Sequence, residues 1–153
     1  MKKIQFIKII NIVLSLFLGG MLLQGGLKKF SGPMPTPTTQ REAIKKGEFD
    51  QIDPATLKIK NYIFGMKQTG YFWQFLGISE VLVALLILSQ VFRFPGALMA
   101  VPITIQIFLF HLYLEPHETG ELLETGGLLA ANVWLIGFEY PRWKHLIFTT
   151  SLV

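Results

Sequence analysis

Four long apolar stretches recur along the chain, each bounded by charged or turn-forming residues. They cover approximately residues 4–27, 71–91, 97–114 and 120–140. A helix of about twenty apolar residues crosses a hydrocarbon core of roughly 30 Å. The pattern therefore predicts an all-α fold, a four-helix transmembrane bundle that makes residues 1–153 a single membrane domain.

The polar stretch 30–69 predicts an extended extracytoplasmic loop between the first two spans. Its Pro- and Thr-rich start, SGPMPTPTT, cannot continue a helix. Within the loop we predict a short helix over 39–46 that begins at Thr39, and a second helix with Asp53 as N-cap and Pro54 as its first residue. The mixed segment KIKNYIF at 58–64 is typical of a membrane interface.

Short polar segments predict the remaining connections. Residues 93–96 indicate a turn between the second and third spans. Pro141 is expected to end the fourth span, and the tail 141–153 is expected to lie along the membrane interface.

Composition narrows the class of protein. The chain is 51% hydrophobic and 16% charged, with a mean hydropathy of +0.46, which is unusually apolar for a soluble domain. The absence of cysteine excludes disulfides, thiolate metal sites and a dithiol relay within this chain. The net charge of +4 comes from basic residues at the ends of apolar stretches, so we expect no nucleic-acid partner.

The charges also predict an orientation. No A-x-A-like cleavage site follows the first apolar stretch, so we interpret it as a retained span rather than a signal peptide. We expect a multi-pass protein of the cell inner membrane with both termini in the cytoplasm. The predicted cytoplasmic side carries Lys2, Lys3, Lys8, Arg93, Arg142 and Lys144, with Glu139 as its acid.

Polar residues inside the spans are the candidate site. A carboxylate at membrane depth is costly unless it is paired or neutral, so we expect Glu80 inside the bundle, facing Asn132 or His111. Lys29 is its candidate charge partner. Helical rise places these side chains in the outer half of the bundle. The full set of candidates for a ligand or proton site is Glu80, His111, Asn132, Lys29, Gln106, Gln74 and Gln24.

Structural interpretations of the same residues remain open. Gln106 and Asn132 could serve as hydrogen-bonding contacts between helices, and Glu80 could be a structural carboxyl. Lys28 and Lys29 could be interface anchors. Because Gly126 and Gly127 each have an alanine four residues later, we expect that face of the fourth span to be the most closely packed.

No metal or haem site is expected. His111 is the one histidine inside a predicted span, whereas a bundle haem usually has two axial ligands. The acidic residues between 115 and 124 are interpreted as a solvated loop rather than a divalent-cation site.

Several short motifs resemble the DoxX-like family of small integral membrane proteins. They are GLKKF at 26–30, MPTP at 34–37, TGYF at 69–72 before the Glu80 helix, VPI at 101–103 and FHL at 110–112. The resemblance implies a four-helix membrane protein and marks Lys29, Glu80, His111 and Asn132. It implies no single activity, since members have been associated with a quinol oxidase and with membrane redox or oxidative-stress complexes.

These observations predict a small accessory subunit of a redox, respiratory or envelope complex. Its outer-leaflet polar pocket would bind a quinone-like or lipid-like molecule, or a partner helix. The alternatives are a small proton- or cation-coupled transporter or channel, and a purely structural scaffold. We expect no catalytic activity from the chain alone and no intrinsic cofactor, with a quinone as candidate ligand. Its partners would be the lipid bilayer, other subunits of a membrane complex and further copies of itself.

Overall fold

The protein is described by a computed structural model over residues 2–147, and this part of the chain contains helices and no strands. The helices are α1 (Lys2–Lys28), α2 (Pro37–Lys45), α3 (Pro54–Gln68), α4 (Phe72–Leu88), α5 (Arg93–Leu114), α6 (Thr119–Phe138) and α7 (Tyr140–Ile147). The all-α prediction is confirmed for these residues. Positions 148–153 of the predicted tail lie outside the described residues.

Four helices close a ring around one hydrophobic core. Helix α1 packs against α4 and α6, and α5 packs against the same two helices. Helix α3 lies against α4 and α5 at one end of this ring. The core is made of aliphatic side chains from every helix of the ring: Leu18, Leu22, Val83, Ala84, Ile87, Ala97, Ala100, Leu128 and Leu135.

Some helices of this ring have the length and the apolar composition of membrane-spanning helices. In the described part of the chain, Gln5–Lys28 and Arg93–Leu114 are long and apolar enough to cross one. A third span results if α3 and α4, which meet at a bend of 90°, are counted together. Many large apolar side chains point outward, among them Phe75, Leu82 and Val133. A belt of this kind is typical of a surface that lipid covers.

Close packing between helices occurs at Gly26 of α1 rather than on the predicted face of the fourth span. A Cβ placed on Gly26 of α1 would lie 2.9 Å from Gly77 O and 2.8 Å from Val81 Cγ2, both on α4. By contrast, a Cβ on Gly127 would meet nothing within 4 Å, and one on Gly126 would make ordinary contact with Phe108. The expectation for the Gly126 and Gly127 face is therefore wrong, because α6 turns part of that face away from its neighbours.

The segment predicted as an extended loop is largely helical. Helix α2 begins after Thr36 rather than at Thr39, because these two threonines form a reciprocal capping box. Helix α3 begins after Asp53, as predicted, and the Asp53 carboxylate accepts hydrogen bonds from the backbone of Ala55 and Thr56. Hydrogen bonding from Thr56, and then from Ala55, lowers the pKa of Asp53 below its ordinary value.

Two boundaries near the other end of the ring also differ. Helix α5 begins at Arg93, so Pro95 and Gly96 lie in its first turns rather than in a loop. A proline in a first turn loses no helical hydrogen bond. Helix α6 ends at Phe138, and Pro141 lies near the start of α7 instead of ending the fourth predicted span.

Candidate functional site

A cavity of about 780 Å³ opens between α1, α3, α4, α5 and α6. Its wall is mostly aliphatic and aromatic, and its polar atoms are few. The charged groups Lys29 and Glu80 line its buried part, whereas Tyr62, Gln106 and Glu124 line its exposed part. Such a volume and composition are those of a small-molecule site.

An ion pair joins Lys29, the residue directly after α1, to Glu80 of α4 in the buried part of this cavity. The Lys29 Nζ donates to Glu80 Oε1 at 2.9 Å and to Oε2 at 2.7 Å, and Glu80 is only 2% exposed. The glycines Gly26 and Gly77 lie beside the pair, where the two helix backbones come close together. Glu80 thus lies inside the ring, as predicted, and the predicted charge partner Lys29 neutralises it.

The third N–H group of the Lys29 ammonium makes only a long hydrogen bond. The remaining acceptor, Gly25 O, is 3.4 Å from Nζ, which is beyond the usual range for a hydrogen bond of this type. The same ammonium lies 5.3 Å from the centroid of the Trp73 ring, which lines the cavity. A ligand oxygen placed against Trp73 and closer to Nζ would therefore replace this long third hydrogen bond with a shorter one.

Helix α3 covers one side of the cavity with aromatic and basic side chains. The Tyr62 hydroxyl accepts a hydrogen bond of 2.7 Å from Gln106 Nε2 on α5, and its ring packs 5.5 Å from that of Phe110. Lys67 Nζ lies 5.1 Å from the centroid of Trp73, so Lys29, directly after α1, and Lys67 of α3 both approach this indole. These contacts hold α3 against the ring of four helices.

His111 lines the cavity and lies beside two acids rather than beside Glu80. Its Nδ1 lies 2.8 Å from Glu115 Oε2 and 3.2 Å from Glu121 Oε2. The prediction that Glu80 faces Asn132 or His111 is therefore wrong about the partner. The physical reason is that Lys29, one helical turn beyond Gly25, reaches both oxygens of Glu80.

Asn132 is a contact between helices rather than part of the cavity. Its amide nitrogen can donate to Ala97 O at 2.8 Å, while its oxygen lies 3.0 Å from Thr104 Oγ1 and 3.2 Å from the Val101 backbone nitrogen. The side chain is fully buried. These bonds join α6 to α5, which is the structural alternative that the sequence left open.

The three predicted glutamines have different surroundings. Gln106 lines the cavity and contacts Tyr62. Gln74 is partly buried, and its Oε1 has no hydrogen-bond partner in the described residues. Gln24 is exposed on the outer surface of α1 and does not belong to the site.

A second group of polar contacts lies at the end of the ring opposite the cavity. The buried Asn11 Oδ1 accepts a hydrogen bond of 3.0 Å from Trp134 Nε1, and Ser15 Oγ donates to Asn11 O at 2.6 Å. Arg93 Nη2 donates to Glu139 Oε1 at 2.7 Å. The signal that could have revealed them is the isolated amide of Asn11 within an apolar stretch.

No family model, curated protein or solved structure matches the chain. The cavity can hold a molecule with an apolar body, stack an aromatic ring against Trp73 or Phe110, and offer one hydrogen-bond donor from Lys29 in its buried part.

Proposed function

We propose that the protein is a small membrane subunit that binds a quinone-like molecule in this cavity. The observation that carries the proposal is the buried ion pair of Lys29 and Glu80 within a mostly apolar, aromatic cavity of about 780 Å³. A quinone has a flat ring that suits aromatic walls, carbonyl oxygens that accept hydrogen bonds, and an apolar tail. Lys29 would donate to a carbonyl, and Trp73 would contact the ring.

The bundle is proposed to span the membrane with four helices, α1, α4, α5 and α6. Support comes from the closed ring that these helices form and from the apolar side chains that cover its outside. Helix α4 has 17 residues, which gives about 25 Å at 1.5 Å per residue, slightly short of an average hydrocarbon core. Tyr71 and Phe72 at its start suit the membrane interface.

We further propose that the chain acts as an accessory subunit in a redox, respiratory or envelope complex, as its resemblance to the DoxX-like family implies. A chain without cysteine has no dithiol to exchange electrons with a bound quinone. A partner subunit would supply that chemistry. Helix α2, with the exposed Ile44, offers a surface for such a partner.

A proton- or cation-coupled transporter is the less favoured alternative. A cation site needs carboxylate oxygens that are free to bind the ion. Both oxygens of Glu80 already accept hydrogen bonds from one ammonium that is itself largely buried. A purely structural scaffold would not need the cavity beside this pair.

Binding is tested by quenching of Trp73 fluorescence with decylubiquinone in nanodiscs that hold the purified protein. We expect saturable quenching that is lost in Trp73→Phe. The double variant Lys29→Met/Glu80→Leu removes both charges without leaving either unpaired, and it should weaken binding at least tenfold. Gln24→Leu is the matched control, because Gln24 lies five residues before Lys29 on the exposed surface of α1, outside the cavity.

Two results would contradict the proposal. Quenching that is not saturable, or that is equal in all variants, would mean that the quinone dissolves in the bilayer without a site. Competition by added phospholipid with the same potency as by quinone would replace the quinone with a lipid ligand.

The proposed orientation, with both termini in the cytoplasm, has its own test. Asp50 lies between α2 and α3 and is exposed. In intact cells, Asp50→Cys should react with a membrane-impermeant thiol reagent, whereas a cysteine added after Val153 should not. Labelling of the second position and not the first would reverse the orientation.

A further inference from the structure

Three metal-ligating side chains converge at the rim of the cavity. They are His111 in the last turn of α5, Glu115 directly after α5 and Glu121 in the first turn of α6, and we refer to them as the rim triad. One ligand atom from each lies within 4.8 Å of those from the other two. His111 also lines the cavity. The sequence offered only a run of acids here, because the fold decides which of them approach the imidazole.

The nitrogen at the centre of the rim triad has no hydrogen bond. The Nδ1 atom of His111 is buried, and neither Glu115 Oε2 at 2.8 Å nor Glu121 Oε2 at 3.2 Å approaches it in line with its N–H direction. A carboxylate that paired with a protonated imidazole would lie along this direction, since hydrogen bonds weaken steeply below about 120°. The two carboxylates therefore lie beside the N–H direction of Nδ1 rather than along it.

Metal coordination accounts for this off-axis arrangement. A divalent ion on the axis of Nδ1 would lie about 2.1 Å from the nitrogen and about 2.1 Å from each carboxylate oxygen. With ligand–metal–ligand angles near 90°, the nitrogen and each oxygen would then be about 3.0 Å apart. The two separations in the structure, 2.8 and 3.2 Å, lie on either side of this value.

We propose that the rim triad binds a divalent transition-metal ion of the Mn²⁺, Fe²⁺ or Zn²⁺ class. One neutral imidazole and two carboxylates carry a charge of −2, which such an ion balances. An imidazole ligand favours these ions over Mg²⁺ and Ca²⁺, which prefer oxygen alone. Three ligands on one side of the ion leave coordination positions open, and His111 places them next to the cavity. This site is distinct from the buried ion pair and does not depend on the proposed quinone.

The proposal is tested with Mn²⁺ as the probe, on protein purified in detergent and stripped with a chelator. Free Mn²⁺ is followed by electron paramagnetic resonance during a titration. We expect one bound Mn²⁺ per chain, and at least tenfold weaker binding in His111→Gln and in Glu121→Gln. Glu118→Gln is the matched control, because Glu118 lies in the same acidic segment outside the triad and its side chain makes no cap hydrogen bond.

Thermal unfolding shows whether the variants are folded. Mn²⁺ should raise the melting temperature of the wild type and of Glu118→Gln but not of the triad variants, whose metal-free melting temperatures should match the wild type. Zn²⁺ should displace Mn²⁺, and millimolar Mg²⁺ should not. The proposal is overturned if Mn²⁺ does not bind below about 1 mM, if Glu118→Gln binds as weakly as the triad variants, or if Mg²⁺ competes equally with Mn²⁺.

Discussion

At the scale of single residues, the buried ion pair has an unusual energy balance. Moving Lys29 and Glu80 out of water costs several kcal/mol per ion, and their mutual attraction offsets this only in good geometry. The geometry is good here, since both Glu80 oxygens accept from one ammonium. An ion pair of this kind is weak support for stability, because two apolar residues would serve as well. A ligand in the adjacent cavity, as proposed above, would give the pair a role beyond stability.

Removing one member of the pair should destabilise the protein strongly. Lys29→Met leaves the Glu80 carboxylate buried and unpaired, which should lower the free energy of unfolding by about 3–5 kcal/mol. Lys29→Met/Glu80→Leu should recover most of this loss, because neither charge then remains. The measurement is SDS titration of the protein in mixed micelles.

The neighbouring Lys28 provides the control for this experiment. It is exposed, so Lys28→Met should change stability by no more than about 0.5 kcal/mol. A single variant as stable as the wild type, or a double variant less stable than Lys29→Met, would contradict this account of the pair.

The type of each residue predicted that Glu80 belongs to the site, but not which polar side chains face one another. A lone carboxylate in an apolar stretch identifies Glu80, since few such groups occur in membrane helices without a role. The direction in which each polar side chain points depends on how its helix rotates within the ring. Sequence does not define that rotation, so Asn132 was grouped with Glu80 although it bonds to α5. The partner of Asn11, Trp134, was missed for the same reason.

At the scale of helices, the crossing of α1 and α4 positions the ion pair. Gly26 and Gly77 let the two backbones approach, and Lys29 follows Gly26 by three residues, directly after the end of α1. A side chain on either glycine would push the helices apart and lengthen the contact between Lys29 and Glu80. Small residues at such crossings are a frequent way for membrane helices to pack.

Two matched alanine substitutions test this crossing. Gly26→Ala places a methyl group 2.9 Å from Gly77 O, and overpacking of this kind should cost about 1–3 kcal/mol. Gly127→Ala meets nothing within 4 Å and should be neutral or stabilise by up to about 1 kcal/mol, because alanine favours helix. SDS titration measures both. Equal effects of the two substitutions would mean that α1 and α4 are not closely packed at Gly26.

Capping residues and prolines in the sequence predicted some helix boundaries correctly and others incorrectly. Asp53 before Pro54 identified the start of α3 correctly, because capping is decided within a few residues. The start of α2 was misplaced because Thr36 and Thr39 are both good caps, and only the structure shows their reciprocal bonds. The sequence of residues 93–96 predicts a turn, but these residues form the first turn of α5, because a proline such as Pro95 is also tolerated at the start of a helix.

At the scale of the whole molecule, the ring of four helices leaves a cavity that α3 covers on one side. The long apolar stretches predicted helices long enough for a membrane, because hydropathy and length are properties of sequence. The cavity itself could not be predicted, since it is the space that five helices leave between them. The 90° bend between α3 and α4 brings Met66 and Trp73 to the same cavity. Gly70 lies at this bend with a φ of +76°, a backbone conformation that glycine adopts without strain.

The most direct test of the account is to map where a quinone contacts the protein. A photoreactive quinone, with a diazirine on a short tail, would be cross-linked to the protein in nanodiscs and the labelled residues identified by mass spectrometry. We expect labels on cavity residues such as Met66, Trp73 and Ile107, which excess unlabelled quinone removes. Labels on the outward-facing Phe75 and Leu82 that unlabelled quinone does not reduce would contradict a quinone site in the cavity.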